Sequence, residues 1–258
     1  MFEKLLSSFS IGTAKVDTRL EKTSYMPGDQ IRGQTFVFGG EASQKINDIF
    51  VHIETTYHYR TSKQTHTIDA VLSIHKVTSG FLIQPKETQV FPFTIISPLH
   101  TPLTMFQHKV FLRTRLNIDK AIDSKDVDLI EIRPLALMEK VFYGIEYLGF
   151  YIVSSECDYD TELARGCEFI QRIGFAPTNN CRYLGRIDKV YIIFLFNPPY
   201  HLDVILDIDE RVDSFFRELI GTDRTKTYFQ ISGADLQKPV EYFAGLITNA
   251  INTVVKIN

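Results

Sequence analysis

The sequence predicts an all-β protein built from two β-sandwich domains in series, with an α-helix at the C-terminal end. Three observations carry that prediction. Apolar residues recur at every second position through most of the chain, the spacing of a half-buried strand. Gly and Pro turns interrupt those runs at short intervals. Near the end the apolar spacing changes to three and four, the period of an amphipathic helix.

The elements follow in order. Ala14, Val16, Thr18 and Leu20 alternate with Lys15, Asp17, Arg19 and Glu21. Tyr25-Met26-Pro27-Gly28-Asp29 is a turn, with Pro at the first central position and Gly taking a positive φ at the next. A strand over Gln30 to Phe38 ends at Gly39-Gly40. In the next, Ile49, Val51, Ile53, Thr55 and Tyr57 point one way, and His52, Glu54, Thr56 and His58 the other. His66 to Val77 is a fourth strand. Val90 to Ile96 is a fifth, and Pro92 within it marks an edge or a bulge because proline cannot donate to a ladder. In Lys109 to Ile118, Val110, Leu112, Thr114 and Leu116 alternate with Phe111, Arg113, Arg115 and Asn117. Asp126 to Ile132 closes this half.

Leu135 to Tyr147 lacks clean alternation, so residues 134–148 read as a linker with room for a short helical turn. Residues 1–133 then form the first sandwich and residues 149–258 the second. Strands of the second half are expected over Phe150 to Tyr159, Cys167 to Phe175, Arg186 to Phe196, Leu202 to Ile208 and Lys226 to Ile231. A terminal helix over 236–254 carries Leu236, Val240, Phe243, Ile247, Ala250, Ile251 and Val254 on one stripe, with Pro239 in its first turn. That stripe packs on its own domain or on a second copy or partner. Phe2, Leu5, Leu6 and Phe9 suit a short docked helix, with reversible surface anchoring as the alternative, and Val212, Phe215, Phe216 and Leu219 suit another helix.

Composition narrows the function classes. The chain has 258 residues, 44% hydrophobic and 23% charged, in the range of ordinary globular proteins. A net charge of -3 lacks the field of a dedicated nucleic-acid binder. Cys157, Cys167 and Cys181 fit neither a disulfide framework nor a zinc knuckle, and they read as free thiols of a cytoplasmic protein. No apolar run has the length of a membrane span; Val190 to Phe196 is a buried strand.

Catalytic signatures are absent: GxSxG, HExxH, GxGxxG and GxxxxGK[ST] all fail to occur. His52 and His58 share a strand face about 20 Å apart at ~3.3 Å per residue, too far to ligate one ion. A cysteine enzyme would need His201 and Asp203 beside Cys157. No enzyme activity, metal or cofactor is expected. Asp119, Asp123, Asp126 and Asp128 do not follow the EF-hand spacing. They read as a solvated turn, as a calcium site, or as an acidic cluster facing Arg113 and Arg115 that fixes the angle between two domains. Asp203, Asp207 and Asp209 share one strand face and read as its wet side.

Several of these segments together resemble the arrestin-like sporulation-control protein M family of bacteria. The residues are Val16-Asp17-Thr18-Arg19-Leu20-Glu21, the Tyr25-to-Asp29 turn, Gly33 and Gly39-Gly40, and Ile53-Glu54-Thr55-Thr56-Tyr57. Phe91-Pro92-Phe93, Pro98, Thr101-Pro102 and Leu116 to Asp123 continue the likeness, with Asn117 where the family tends to have Asp. Leu148-Gly149-Phe150, Glu156 to Tyr159 and Phe169-Ile170-Gln171 extend it into the second half. The resemblance implies an arrestin-like tandem that acts as a non-catalytic regulatory adaptor in sporulation with other proteins as partners; the charge balance and the apolar runs already speak against nucleic acid and an integral membrane segment. It also implies an interdomain charge cluster, placed here on Arg113, Arg115, Asp119, Asp123, Asp126 and Asp128. Exposed strand edges, in particular the one bearing Phe91 and Phe93, are the expected contact surface. A homodimer through those edges or the C-terminal helix is a further expected contact, and an ion- or ligand-sensing regulator using the acidic cluster is the alternative function.

Overall fold

Alternation along the chain becomes two layers because each strand of the first half can bury only one of its faces. The computed structural model describes residues 12–197, 201–210 and 224–255. The proposed helices at Phe2 to Phe9 and Val212 to Leu219 lie outside the described residues. Contacts divide the chain into two units that interleave along the sequence. Unit 1 takes residues up to Thr55, Asp69–Pro98 and Lys109–Glu131; unit 2 takes Thr56–Ile68, Leu99–His108 and the residues from Ile132 onward.

Unit 1 is a sandwich. Strands β1 (Lys15–Leu20), β3 (Gln30–Phe38) and β6 (Thr88–Ile96) form one antiparallel sheet in the order β1-β3-β6. Strands β4 (Gln44–Arg60), β7 (Val110–Ile118), β8 (Ser124–Ile132) and β2 (Ser24–Tyr25) follow one another in the other, and β5 (Thr65–Ile83) pairs β4. Strand β4 passes from unit 1 into unit 2 after Thr55. The alternation translates directly into the core: Ala14, Val16 and Val37 from one sheet meet Ile46, Ile49, Leu116 and Ile118 from the other. The Tyr25-to-Asp29 turn has Gly28 at φ 87°, and the Asp29 N–H donates to the Met26 carbonyl at 3.0 Å. That is the type II geometry the Pro-Gly pair predicts.

Unit 2 is arranged differently from its expected form. Strands β9 (Phe150–Tyr159), β10 (Phe169–Pro177), β11 (Ile187–Asn197), β12 (His201–Glu210) and β13 (Arg224–Ser232) follow one another in one sheet with antiparallel neighbours. Two helices cover a face of it. The expected linker is helix α1 (Ala136–Tyr147), twelve residues long, with Met138, Val141, Gly144 and Ile145 buried. Gly149, at φ 88°, donates its N–H to Glu146 and ends α1. The terminal helix α2 spans Val240–Val254, shorter than expected, with Pro239 as its N-cap. A 3-10 turn over Gly233–Asp235, closed by a Ser232/Asp235 capping box, precedes it.

The α2 stripe of Phe243, Ala244, Ile247, Ala250 and Ile251 is buried within unit 2, against α1 and β13. The helices cross at Gly144, where an added Cβ would lie 2.8 Å from the Phe243 Cβ. Phe142 of α1 sets its ring against Phe175 of β10 and Phe194 of β11.

Candidate interaction site

Register decides which charges of unit 1 meet. In the β4–β7 ladder, His52 pairs with Arg113 and Phe50 with Arg115, so His52 and Glu54 share a face with both arginines. Glu54 is 8% exposed and is the centre of the cluster. Arg113 Nε donates to one carboxylate oxygen at 2.6 Å and an Arg115 NH2 donates to the other at 3.1 Å. Burial pushes the Glu54 carboxyl up, but the two guanidinium groups outweigh it and hold the group below its ordinary value. Burial, and then Arg115, keeps His52 low. Its Nδ1 lies 3.3 Å from Glu54 but has no hydrogen-bond partner there.

The four aspartates do not join these arginines. In the β7–β8 ladder Arg113 faces Val127 and Arg115 faces Lys125, whereas Asp126 and Asp128 face Thr114 and Leu112. They therefore sit on the inner face of the sheet. There Asp126 accepts the Thr18 N–H at 2.6 Å and Ser124 Oγ accepts the Val16 N–H at 3.3 Å. These two side chains occupy the outer edge of β1. Asp123 accepts the Ile118 N–H at 3.1 Å, and the Asp119 N–H donates to Lys45 at 2.9 Å, within the turn after β7. Among the described residues, no three of His, Cys, Asp and Glu converge in a way that could hold a metal ion.

The opposite edge of the same sheet is β6. Among the described residues it pairs on one side only, with β3, as Pro92 predicts. Phe91 and Phe93 do not face outward. Phe93 is 9% exposed and packs against Gly33, and Phe91 sets its ring 4.8 Å from Phe81. Beside Thr88, Pro92 and Thr94, the large apolar side chains β6 exposes are Val90 and Ile96, at 43% and 58%.

Unit 2 holds a second charge cluster that sequence reasoning missed. Arg172 on β10 reaches Asp160 at 3.0 Å, Asp158 at 3.4 Å and Asp207 at 3.7 Å. Arg60 pairs with Glu156 and, at 3.2 Å, with Asp158. Asp207, expected on a wet face, is 1% exposed, and Asp203 of the same strand pairs with Arg165. The histidine against Cys157 is His108, at 3.5 Å, rather than His201. Burial raises the Cys157 thiol well above its ordinary range and lowers His108 to about 4. Both groups are thus neutral near pH 7, the reverse of an activated thiolate. All three cysteines are free thiols.

The comparisons with known proteins agree with the likeness read from the sequence. A family model described as SpoOM protein matches residues 2–212. The chain belongs to this family. The sporulation-control protein Spo0M of Bacillus subtilis (strain 168) is 36% identical over 210 residues, 81% of this chain and 81% of that protein. The crystal structure of Spo0M from Bacillus subtilis matches with a TM-score of 0.84 at 30% identity, covering 94% of this chain and 99% of that one. The family match stops short of β13 and α2, whereas the structural match covers nearly the whole chain. Among the described residues, no helix is long and apolar enough to cross a membrane.

Proposed function

We propose that this chain is a non-catalytic regulator of sporulation, working in the cytoplasm as an adaptor whose contact surface is the open edge of β6. Membership of the family and likeness to a sporulation-control protein support the role. The contrast between the two edges of the three-stranded sheet carries the mechanism. Ser124 and Asp126 occupy the backbone N–H groups of Val16 and Thr18 on β1, while among the described residues β6 keeps an unpaired side. An unpaired edge accepts an extended segment of a partner protein through main-chain hydrogen bonds. Because Phe91 and Phe93 turn inward, the backbone together with Val90 and Ile96 makes the contact.

The test is replacement of the two large exposed apolar side chains, Val90→Lys with Ile96→Lys, which puts charge on the edge without touching the core. In a Bacillus subtilis strain lacking its own Spo0M, the unaltered chain is expected to shift sporulation frequency towards that of the parent strain. The folded double variant is expected to lose most of that effect. Equal restoration by the variant overturns the edge model, and no effect of the unaltered chain overturns the sporulation role.

A further inference from the structure

Strands β10 and β11 do not stay together. Their ladder runs through Ile173, Gly174 and Phe175, opposite Ile192, Tyr191 and Val190. Continued in the same register, it would set Phe169 to Arg172 against Ile193 to Phe196. Those segments instead keep ladders only with their outer partners, β9 for one and β12 for the other, while Ile170 still packs with Ile193 and Leu195 across the break in the ladder. A cavity of about 550 Å³ occupies the gap, within the size range of small-molecule sites. Phe169 and Ile170 line it from β10, and Phe194, Leu195 and Phe196 from β11.

Other elements complete the wall. Leu99 and Leu103 approach from the preceding loop, Met138 from α1, and Ala164 from the segment between β9 and β10. This wall is held in place: Gln171 receives the Leu103 N–H and donates to the Leu103 carbonyl, both at 2.8 Å. Thr101, Gln171 and Asn197 add neutral polar groups to this mainly apolar wall. Among the described residues Arg165 is the one formally charged side chain lining the cavity, and it is paired with Asp203 at 3.0 Å. His100 stands in the wall with Nε2 buried and no hydrogen-bond partner, and burial favours its neutral form. Among the described residues a charged ligand finds no unpaired counter-charge in the wall, so its desolvation would go uncompensated there.

We propose that the gap between β10 and β11 is a binding site for a small, uncharged, mainly apolar molecule. The aromatic and aliphatic walls take its body. The backbone groups that the parted strands leave without a ladder partner across the gap, and the imidazole of His100, are available to a polar group on it. This site is separate from the β6 edge, and its test does not depend on the proposed function.

The experiment titrates the full chain with Nile red, an uncharged apolar dye, and follows its fluorescence. The expected result is saturable binding of one dye per chain, weakened at least tenfold by Ala164→Phe, which fills the cavity from one side. Leu99→Trp fills it from the solvent side and is expected to weaken binding likewise, so the outcome does not hang on the folding of one variant. In protein carrying labelled methionine methyl groups, the Met138 signal is expected to shift on addition of dye while those of Met26 and Met105 hold still. Absence of saturable binding, binding unchanged in folded Ala164→Phe and Leu99→Trp proteins, or an unmoved Met138 signal at saturation overturns the proposal.

Discussion

Glu54 has almost no water of its own, so its two arginines must supply its hydrogen bonds. Glu54→Ala removes the shared acceptor but leaves Arg113 and Arg115 partly solvated, which limits the damage. A loss of about 2 kcal/mol in urea unfolding is expected, the scale of a charged hydrogen bond rather than of a fully buried ion pair. His108 sets a pH dependence. Burial, then the charge of His58, lowers its folded value from 6.5 to about 4. Between those values the unfolded chain binds the proton and the folded chain does not, so stability is full above about pH 6.5 and falls on acidification towards pH 4. The loss is on the order of 3 kcal/mol. Denaturation midpoints at pH 7 and pH 5 should therefore separate more in the native chain than in His108→Gln. His52 and His100 are lowered too, so the variant should keep part of the slope.

Helix α1 is the element the alternation concealed. Met138, Val141 and Ile145 are spaced by three and four, a readable helical stripe, but Arg133-Pro134 invited a linker reading. Its packing on α2 depends on Gly144, whose missing Cβ lets Phe243 approach. Gly144→Ala should push the helices apart and cost about 1–3 kcal/mol despite alanine's better helix propensity; thermal melting of the variant measures this. Strand β8 makes the opposite point. A register shifted by one residue would have put Asp126 against Arg115 and Asp128 against Arg113, the expected cluster. The observed pairing of Leu116 with Ser124 sends both aspartates to the inner face instead. Sequence shows two sets of charges in neighbouring strands, and only the turn of residues 119–123 settles whether they meet.

For the whole molecule, the interleaving of the two units has consequences for dissection. Unit 2 borrows Tyr57, which stacks on Phe169 at 5.2 Å, Leu103, which bonds Gln171, and His108, which covers Cys157. A fragment of residues 134–258 lacks all three. It is expected to unfold without a cooperative transition, whereas a fragment of residues 1–133 retains every segment of unit 1 and should melt cooperatively; circular dichroism on heating distinguishes them. The sequence by itself determined the strands, the inward sets such as Ile49, Val51, Ile53, Thr55 and Tyr57, the Pro27-Gly28 turn and the edge position of β6. Those are local patterns of spacing and turn chemistry, and the motifs that carry the family resemblance lie within the same segments. Only the tertiary structure decided the pairing of Glu54 with its arginines, the burial of Asp207, the inward turn of Phe91 and Phe93, and the gap between β10 and β11. Each of these depends on strand register and on which segments, distant in sequence, cover a given face. Alternation is blind to both, since it repeats every two residues and reports on a strand's own sides alone.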